Sequence, residues 1–171
     1  MAVADTENTL TVDANVFHCY FLFTNRHSLP QGLVVQRIKD FCLRVLDKYP
    51  IAINEFIRTE YQQLVGLEHT KNWLAKRLRE NLAIEVDCCP LPGNVRARLR
   101  NDYGFDCRSR DARYIETCLN TIFKHLVTEN TRHFDRPHRS RRQRRMPAFL
   151  QRELALCICT IDECCSTLLE G

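Results

Sequence analysis

Hydrophobic and polar positions divide this chain into short strands and amphipathic helices. Leu10 and Val12 alternate with polar residues in Thr9-Leu10-Thr11-Val12-Asp13, the period of a half-buried strand ending at Asp13. An apolar segment, residues 16–23, follows at once and predicts a buried helix, with a loop over 25–31. Val34, Ile38, Phe41, Cys42, Val45 and Leu46 recur at helical spacing across residues 33–46, and Pro50 closes that element. Ile51-Ala52-Ile53 reads as a second strand, and Asn54 as the N-cap of a helix reaching about Leu64. The apolar stripe of that helix is Phe56, Ile57, Tyr61 and Leu64, with Glu60 beside it.

Further helices are predicted over 70–82 and 95–100, with a third strand over 82–86 between them. Asp111 begins another amphipathic helix, striped by Tyr114, Ile115, Cys118, Leu119 and Ile122, which runs into a fourth strand over 123–128. An arginine-rich segment follows, and a single helix over about 148–169 closes the chain. Strands alternating with helices imply an α/β domain around a mostly parallel sheet. The expected divisions are a tail (1–8), the domain (9–134), a basic segment (135–147) and a C-terminal helix packed on the domain (148–171).

At 171 residues, 44% hydrophobic and 27% charged, the chain is sized and composed like one globular domain. Its longest apolar run is far too short to span a bilayer. The first residues lack the basic and apolar regions of a signal peptide, so a cytoplasmic location is expected. None of the ten cysteines is spaced as CxxC, which predicts packed, reduced thiols rather than zinc ligands. Cys157, Cys164 and Cys165 are expected on one side of the last helix. The net charge of +4 is uneven: residues 132–145 hold seven arginines against one aspartate, a local +6, which leaves the rest of the chain at −2. That segment reads as a mobile arm meeting phosphates, with Arg136, Arg139, Arg141, Arg142, Arg144 and Arg145 as its RNA contacts.

Four polar positions share one structural logic. Asp13 and Asn130 each follow a strand, Asp111 begins a helix, and Glu60 rides on the helix after the second strand. Parallel strands bring such positions to one sheet edge, where ligands bind. Clustered carboxylates repel one another unless a cation is present, and an oxygen-rich set suits Mg²⁺ or Mn²⁺.

Thr11-Val12-Asp13-Ala14-Asn15-Val16, Ile57-Arg58-Thr59-Glu60-Tyr61, Arg110-Asp111-Ala112-Arg113-Tyr114-Ile115 and Val127-Thr128-Glu129-Asn130 occur in that order. Together they resemble the PIN-domain ribonuclease family over roughly residues 9 to 134. The resemblance implies a three-layer α/β/α fold and hydrolysis of RNA to 5′-phosphate and 3′-hydroxyl ends. Asp13, Glu60 and Asp111 would then be the primary metal ligands, Asn130 the fourth position, and Thr128 a group orienting a metal-bound water. It also implies a role as the toxin of a toxin–antitoxin pair, with a cognate antitoxin or a second copy of the chain as partner. Two features depart from the family pattern. Asn130 stands where the family commonly has Asp, with Glu129 and Asp135 nearby but out of register, and the family's next strand has no counterpart in the pattern. The competing expectations are a non-catalytic RNA-binding module and a protein whose basic arm docks an acidic partner.

Overall fold

The computed structural model describes residues 8–17, 40–64 and 67–169. The loop expected at 25–31 and most of the helices expected at 16–23 and 33–46 lie outside them. Strand β1 is Thr11–Val12, β2 Ile51–Ile53, β3 Ala83–Glu85, β4 His125–Val127 and β5 Cys157–Cys159. The helices are α1 (Glu55–Leu64), α2 (Leu67–Arg79), α3 (Gly93–Tyr103), α4 (Arg110–Leu119), α5 (Thr131–Phe134), α6 (Met146–Leu154) and α7 (Ile161–Leu169). A π-helical turn occupies Phe41–Val45.

All strand pairings are parallel. β2 pairs with β3, and β4 lies between β1 and β5. The halves join through Leu10, whose N–H donates to the Pro50 carbonyl and whose carbonyl accepts from Ala52 N–H, both at 2.8 Å. The strand order is therefore β3-β2-β1-β4-β5. The chain builds outward from β1 to β3, then returns to place β4 on the other side of β1. That reversal leaves a crevice beyond the carboxyl ends of β1 and β4, where open parallel sheets hold their ligands. Leu10, Val12, Ile51, Ile53, Leu126 and Val127 are fully buried, and α4 packs across β1, β2 and β4. Among the described residues no helix is long and apolar enough to cross a membrane.

Asn54 caps α1 as its position predicts, its Oδ1 accepting from Ile57 N–H at 2.9 Å. The C-terminal region differs from its expectation. The single helix over 148–169 is two helices, α6 and α7, separated by β5, which pairs with β4. The strand with no counterpart in the pattern is thus present, and the sheet extends past the arginine segment. Cys157 sits on that strand and not on a helix with Cys164 and Cys165. The turn into β5 is made at Ala155, which holds the left-handed conformation (φ 54°) where glycine is usual. A capping box then starts α7: Thr160 N–H donates to Glu163 Oε2 (2.8 Å) and Glu163 N–H donates to Thr160 Oγ1 (3.3 Å). Ile122, expected on the buried stripe of α4, is 65% exposed because the helix has already ended at Leu119.

The arginine segment is likewise not a free arm. Pro137 and Arg145 form an antiparallel bridge, His138 N–H donates to the Arg144 carbonyl, and Arg139 N–H donates to the Asp102 carbonyl. It is a hairpin docked on α3. The nine described cysteines are free thiols, with Cys42, Cys118, Cys159 and Cys164 buried.

Replacing Ala155 with glycine removes the steric cost of the left-handed conformation without touching a packed side chain. The expected outcome is a gain of about 0.5–1 kcal/mol in unfolding free energy, read by urea denaturation at an unchanged m-value.

Candidate functional site

The polypeptide turns at Asp13 as β1 gives way to a helical turn over residues 14–17. Asp13 N–H donates to the Val127 carbonyl and so still belongs to the sheet. Its carboxylate accepts from Asn15 N–H at Oδ1 (3.2 Å), and from Asn15 Nδ2 and Thr128 Oγ1 at Oδ2 (both 2.9 Å). Asp13 is therefore both the cap of the following turn and a crevice residue; the two roles do not compete. Two tyrosines brace the peptides around it. The Tyr61 hydroxyl, from α1, donates to the Val12 carbonyl at 2.6 Å, and the Tyr114 hydroxyl, from α4, accepts from Ala14 N–H at 3.1 Å.

Asp13, Glu60, Asp111 and Asn130 line one cleft of about 330 Å³, together with Ala14, Asn15, Arg110, Tyr114 and His133. Glu60 reaches it from the inner face of α1. Asp111 reaches it because Ser109 takes over the capping of α4, its Oγ accepting from Ala112 N–H (3.3 Å), which frees the Asp111 carboxylate. Asn130 stands at the N-cap of α5, but its side chain makes no capping bond and faces the cleft.

Two of the acids have partners within the cleft. Arg110 Nη1 lies 3.2 Å from Glu60 Oε1. His133 Nδ1 lies 3.0 Å from Asp111 Oδ2 and 2.8 Å from Asn130 Nδ2: as N–H it donates to the carboxylate, and as the bare nitrogen it accepts from the amide. Asp13 pairs with no cation among the described residues. It is 6% exposed, and burial pushes its carboxyl up to about 6, against the pull of the Asn15 and Thr128 hydrogen bonds and with the help of Asp111 and Glu60. Keeping it ionised at neutral pH costs on the order of 3 kcal/mol.

Thr128 sits at the site, but its hydroxyl is fully engaged. Its proton goes to Asp13 Oδ2, and its oxygen accepts from Asn130 N–H (3.0 Å) and Asn15 Nδ2 (3.2 Å). Its hydrogen bonds here hold Asp13, and no hydrogen remains for a water. Glu129 and Asp135 point elsewhere: Glu129 Oε1 accepts from Ile161 N–H at the start of α7, and Asp135 pairs with Arg145 at 3.6 Å.

The donor set, three carboxylates and an amide, matches the oxygen chemistry of Mg²⁺ or Mn²⁺. Among the described residues, however, no three His, Cys, Asp or Glu side chains are already gathered closely enough to enclose an ion. Glu60 Oε1 and Asp111 Oδ2 are taken up by Arg110 and His133.

Of the arginines expected to meet RNA, Arg136 is committed to the fold. Its guanidinium donates to the His133 carbonyl (2.8 Å) and the Gly104 carbonyl (3.0 Å) and lies over Phe105. Arg141, Arg142 and Arg144 project from the exposed hairpin, and Arg145 pairs with Asp135. Sequence reasoning missed Asn15, Arg110, Tyr114 and His133. Two were visible as spacings: Asn15 two residues after Asp13, as in an Asx turn, and His133 one helical turn after Asn130. Comparison with family models, curated proteins and solved structures found no match.

The raised carboxyl of Asp13 fixes the sign of a pH effect. An acid whose folded pKa lies above its unfolded value destabilises the fold when ionised, so the penalty is complete above about pH 6 and is relieved as pH falls toward 3.8. In EDTA, Asp13→Asn is expected to be about 1–2 kcal/mol more stable than wild type at pH 7.5, with the two proteins converging at pH 5. Urea unfolding of both at the two pH values measures it.

Proposed function

We propose that this cleft is the active site of a divalent-metal-dependent ribonuclease of the PIN-like kind, built on a three-layer α/β/α domain. The observation that carries the reading is the meeting of Asp13, Glu60 and Asp111 in one cleft at the carboxyl ends of parallel strands. With it goes the cost of keeping Asp13 ionised at neutral pH without a cation nearby. The parallel β5 beside β4 adds the strand that the family pattern requires.

Asp13, Glu60 and Asp111 would hold Mg²⁺ or Mn²⁺, with the Asn130 amide oxygen as a neutral fourth donor. When bound, the ion lowers the pKa of a coordinated water and stabilises charge on the phosphate oxygens. The chain's own residues do the positioning. Asn15 and Thr128 orient the Asp13 carboxylate, and Tyr61 and Tyr114 fix the backbone that carries it. Arg110, released from Glu60, is free to meet a phosphate oxygen.

A second reading, an RNA-binding module without cleavage, draws on three observations. Asn130 contributes no charge, Glu60 already has Arg110 as a counter-ion, and Asp111 already has a hydrogen-bond partner in His133.

Cleavage of single-stranded and structured RNA in Mg²⁺, Mn²⁺ or EDTA separates the readings. Wild type is expected to cut in Mn²⁺ and not in EDTA, and Asp13→Asn to lose more than about 100-fold in rate. Asn130→Asp restores the missing charge and is expected to lower the Mn²⁺ concentration needed by several-fold. An Asp13→Asn protein that cuts at the wild-type rate overturns the mechanism. No cleavage by wild type or Asn130→Asp at any metal concentration favours the binding module.

A further inference from the structure

A second cleft has a charge opposite to that of the acidic one. It measures about 600 Å³ and is lined by Arg96 and Arg100 of α3, by Arg108 of the loop before α4, and by Arg139 of the docked hairpin. Four arginines therefore face one another across a groove from three parts of the chain. Its floor is low because Gly93 and Ala97 occupy the same face of α3 as Arg96 and Arg100, at the helical spacings of three and four residues. A Cβ on Gly93 would meet nothing within 4 Å.

The groove is assembled at Gly104. This residue ends α3 at φ 63°, and the Arg139 guanidinium rests 2.9 Å from the place a Cβ would take. Arg136 Nη1 donates to the Gly104 carbonyl and so pins the hairpin at the same point. Arg139 is thus held in place as one wall of the groove.

Counter-charge is scarce. Arg96 has Glu116 at 3.7 Å, whereas Arg100, Arg108 and Arg139 form no ion pair among the described residues. Asp106 is the acid at the rim, and its Oδ1 accepts from Arg108 N–H within its own turn (2.9 Å). Cys107 is half-buried, and burial pushes its thiol up, so it adds no negative charge at neutral pH.

The two clefts are continuous in the chain. Arg108 lines the arginine groove and Arg110 lines the acidic cleft, one residue apart across Ser109.

The geometry points to the arginine groove as the seat of an RNA strand, in which Arg96, Arg100, Arg108 and Arg139 hold successive phosphates on one side of the bond to be cut. This assignment rests on the ribonuclease reading for its direction, and its binding arm is tested without cleavage. RNA is favoured over an acidic protein because the chain runs from the groove at Arg108 to the acidic cleft at Arg110, which on the ribonuclease reading takes a phosphodiester once a metal ion is bound.

The test measures anisotropy of a fluorescein-labelled 12-nucleotide single-stranded RNA in EDTA, with full-length wild type, Arg100→Ala/Arg108→Ala and a charge-matched Lys71→Ala/Arg79→Ala control on α2. The groove variant is expected to raise Kd roughly tenfold at 100 mM salt and to flatten the slope of log K against log salt by about 1.4, two single-strand phosphate contacts. The control should change the slope by less than half as much. Where wild type cleaves, the groove variant raises KM and leaves kcat at saturating RNA within about twofold. Groove and control variants with equal Kd and slope overturn the assignment, as does tighter binding of a glutamate-rich peptide of equal length. Absence of cleavage by wild type overturns only the ribonuclease reading, since the binding arm is read without metal.

Discussion

The site depends on a single constraint, the burial of the Asp13 carboxylate at the end of the central strand. β1 is the innermost strand and has partners on both sides, so its last residues cannot shift without disturbing β2 and β4 together. A buried carboxylate there is costly in the ionised state, and the fold offsets part of that cost with three hydrogen bonds from two side chains and one backbone N–H. Those bonds in turn dictate the neighbours. Thr128 must end β4, Asn15 must open the next turn, and Tyr61 and Tyr114 must approach from α1 and α4 to hold the flanking peptides. The helices that deliver these tyrosines also carry Glu60 and Asp111. The acids meet because the same two helices anchor the strand end.

What was legible in the sequence follows the strength of local signals. β1, β2 and the cap at Asn54 have clean periodicity or a capping side chain, and they lie where the pattern puts them. Asp13, Asp111 and Asn130 were legible because each is tied to an element end, and element ends on parallel strands share one edge of the sheet; Glu60, in the middle of α1, was legible as the acid beside its apolar stripe. β5 was not legible, for physical reasons. Three residues, Cys157-Ile158-Cys159, are shorter than the window in which a period of two can be told from one of 3.6. The usual stop before such a strand, a glycine, is replaced by Ala155. One signal was available, the Thr160–Glu163 capping box, which marks a new helix start inside what reads as one helix. Arg136 was misread for a different reason. Composition reports how many arginines a segment holds, but not which of them face the backbone carbonyls of a neighbouring loop.

The charge distribution gives the molecule its polarity. The excess of positive charge in residues 132–145 looks like a tail in sequence, yet its base is folded against α3 and only the tip, Arg141 to Arg144, stands free. Docking at Gly104 brings Arg139 to the arginines of α3, where residues 95–100 hold three arginines and no acid. The loop 104–109 lines the basic groove, and Arg110 and Asp111 directly after it line the acidic cleft. Opposite fields this close would collapse into ion pairs if the loop were slack, and Arg110 with Glu60 is one such pair. The remaining separation is maintained by backbone. Ser109 caps α4, Asp106 holds the turn before it, and Gly104 fixes the end of α3. Arg108 is thereby turned to one cleft and Arg110 to the other. On the proposed function, a phosphate brought to the acidic cleft would meet repulsion from its carboxylates. A divalent cation held by Asp13, Glu60 and Asp111 would reverse that term and so couple occupancy of the basic groove to occupancy of the acidic cleft.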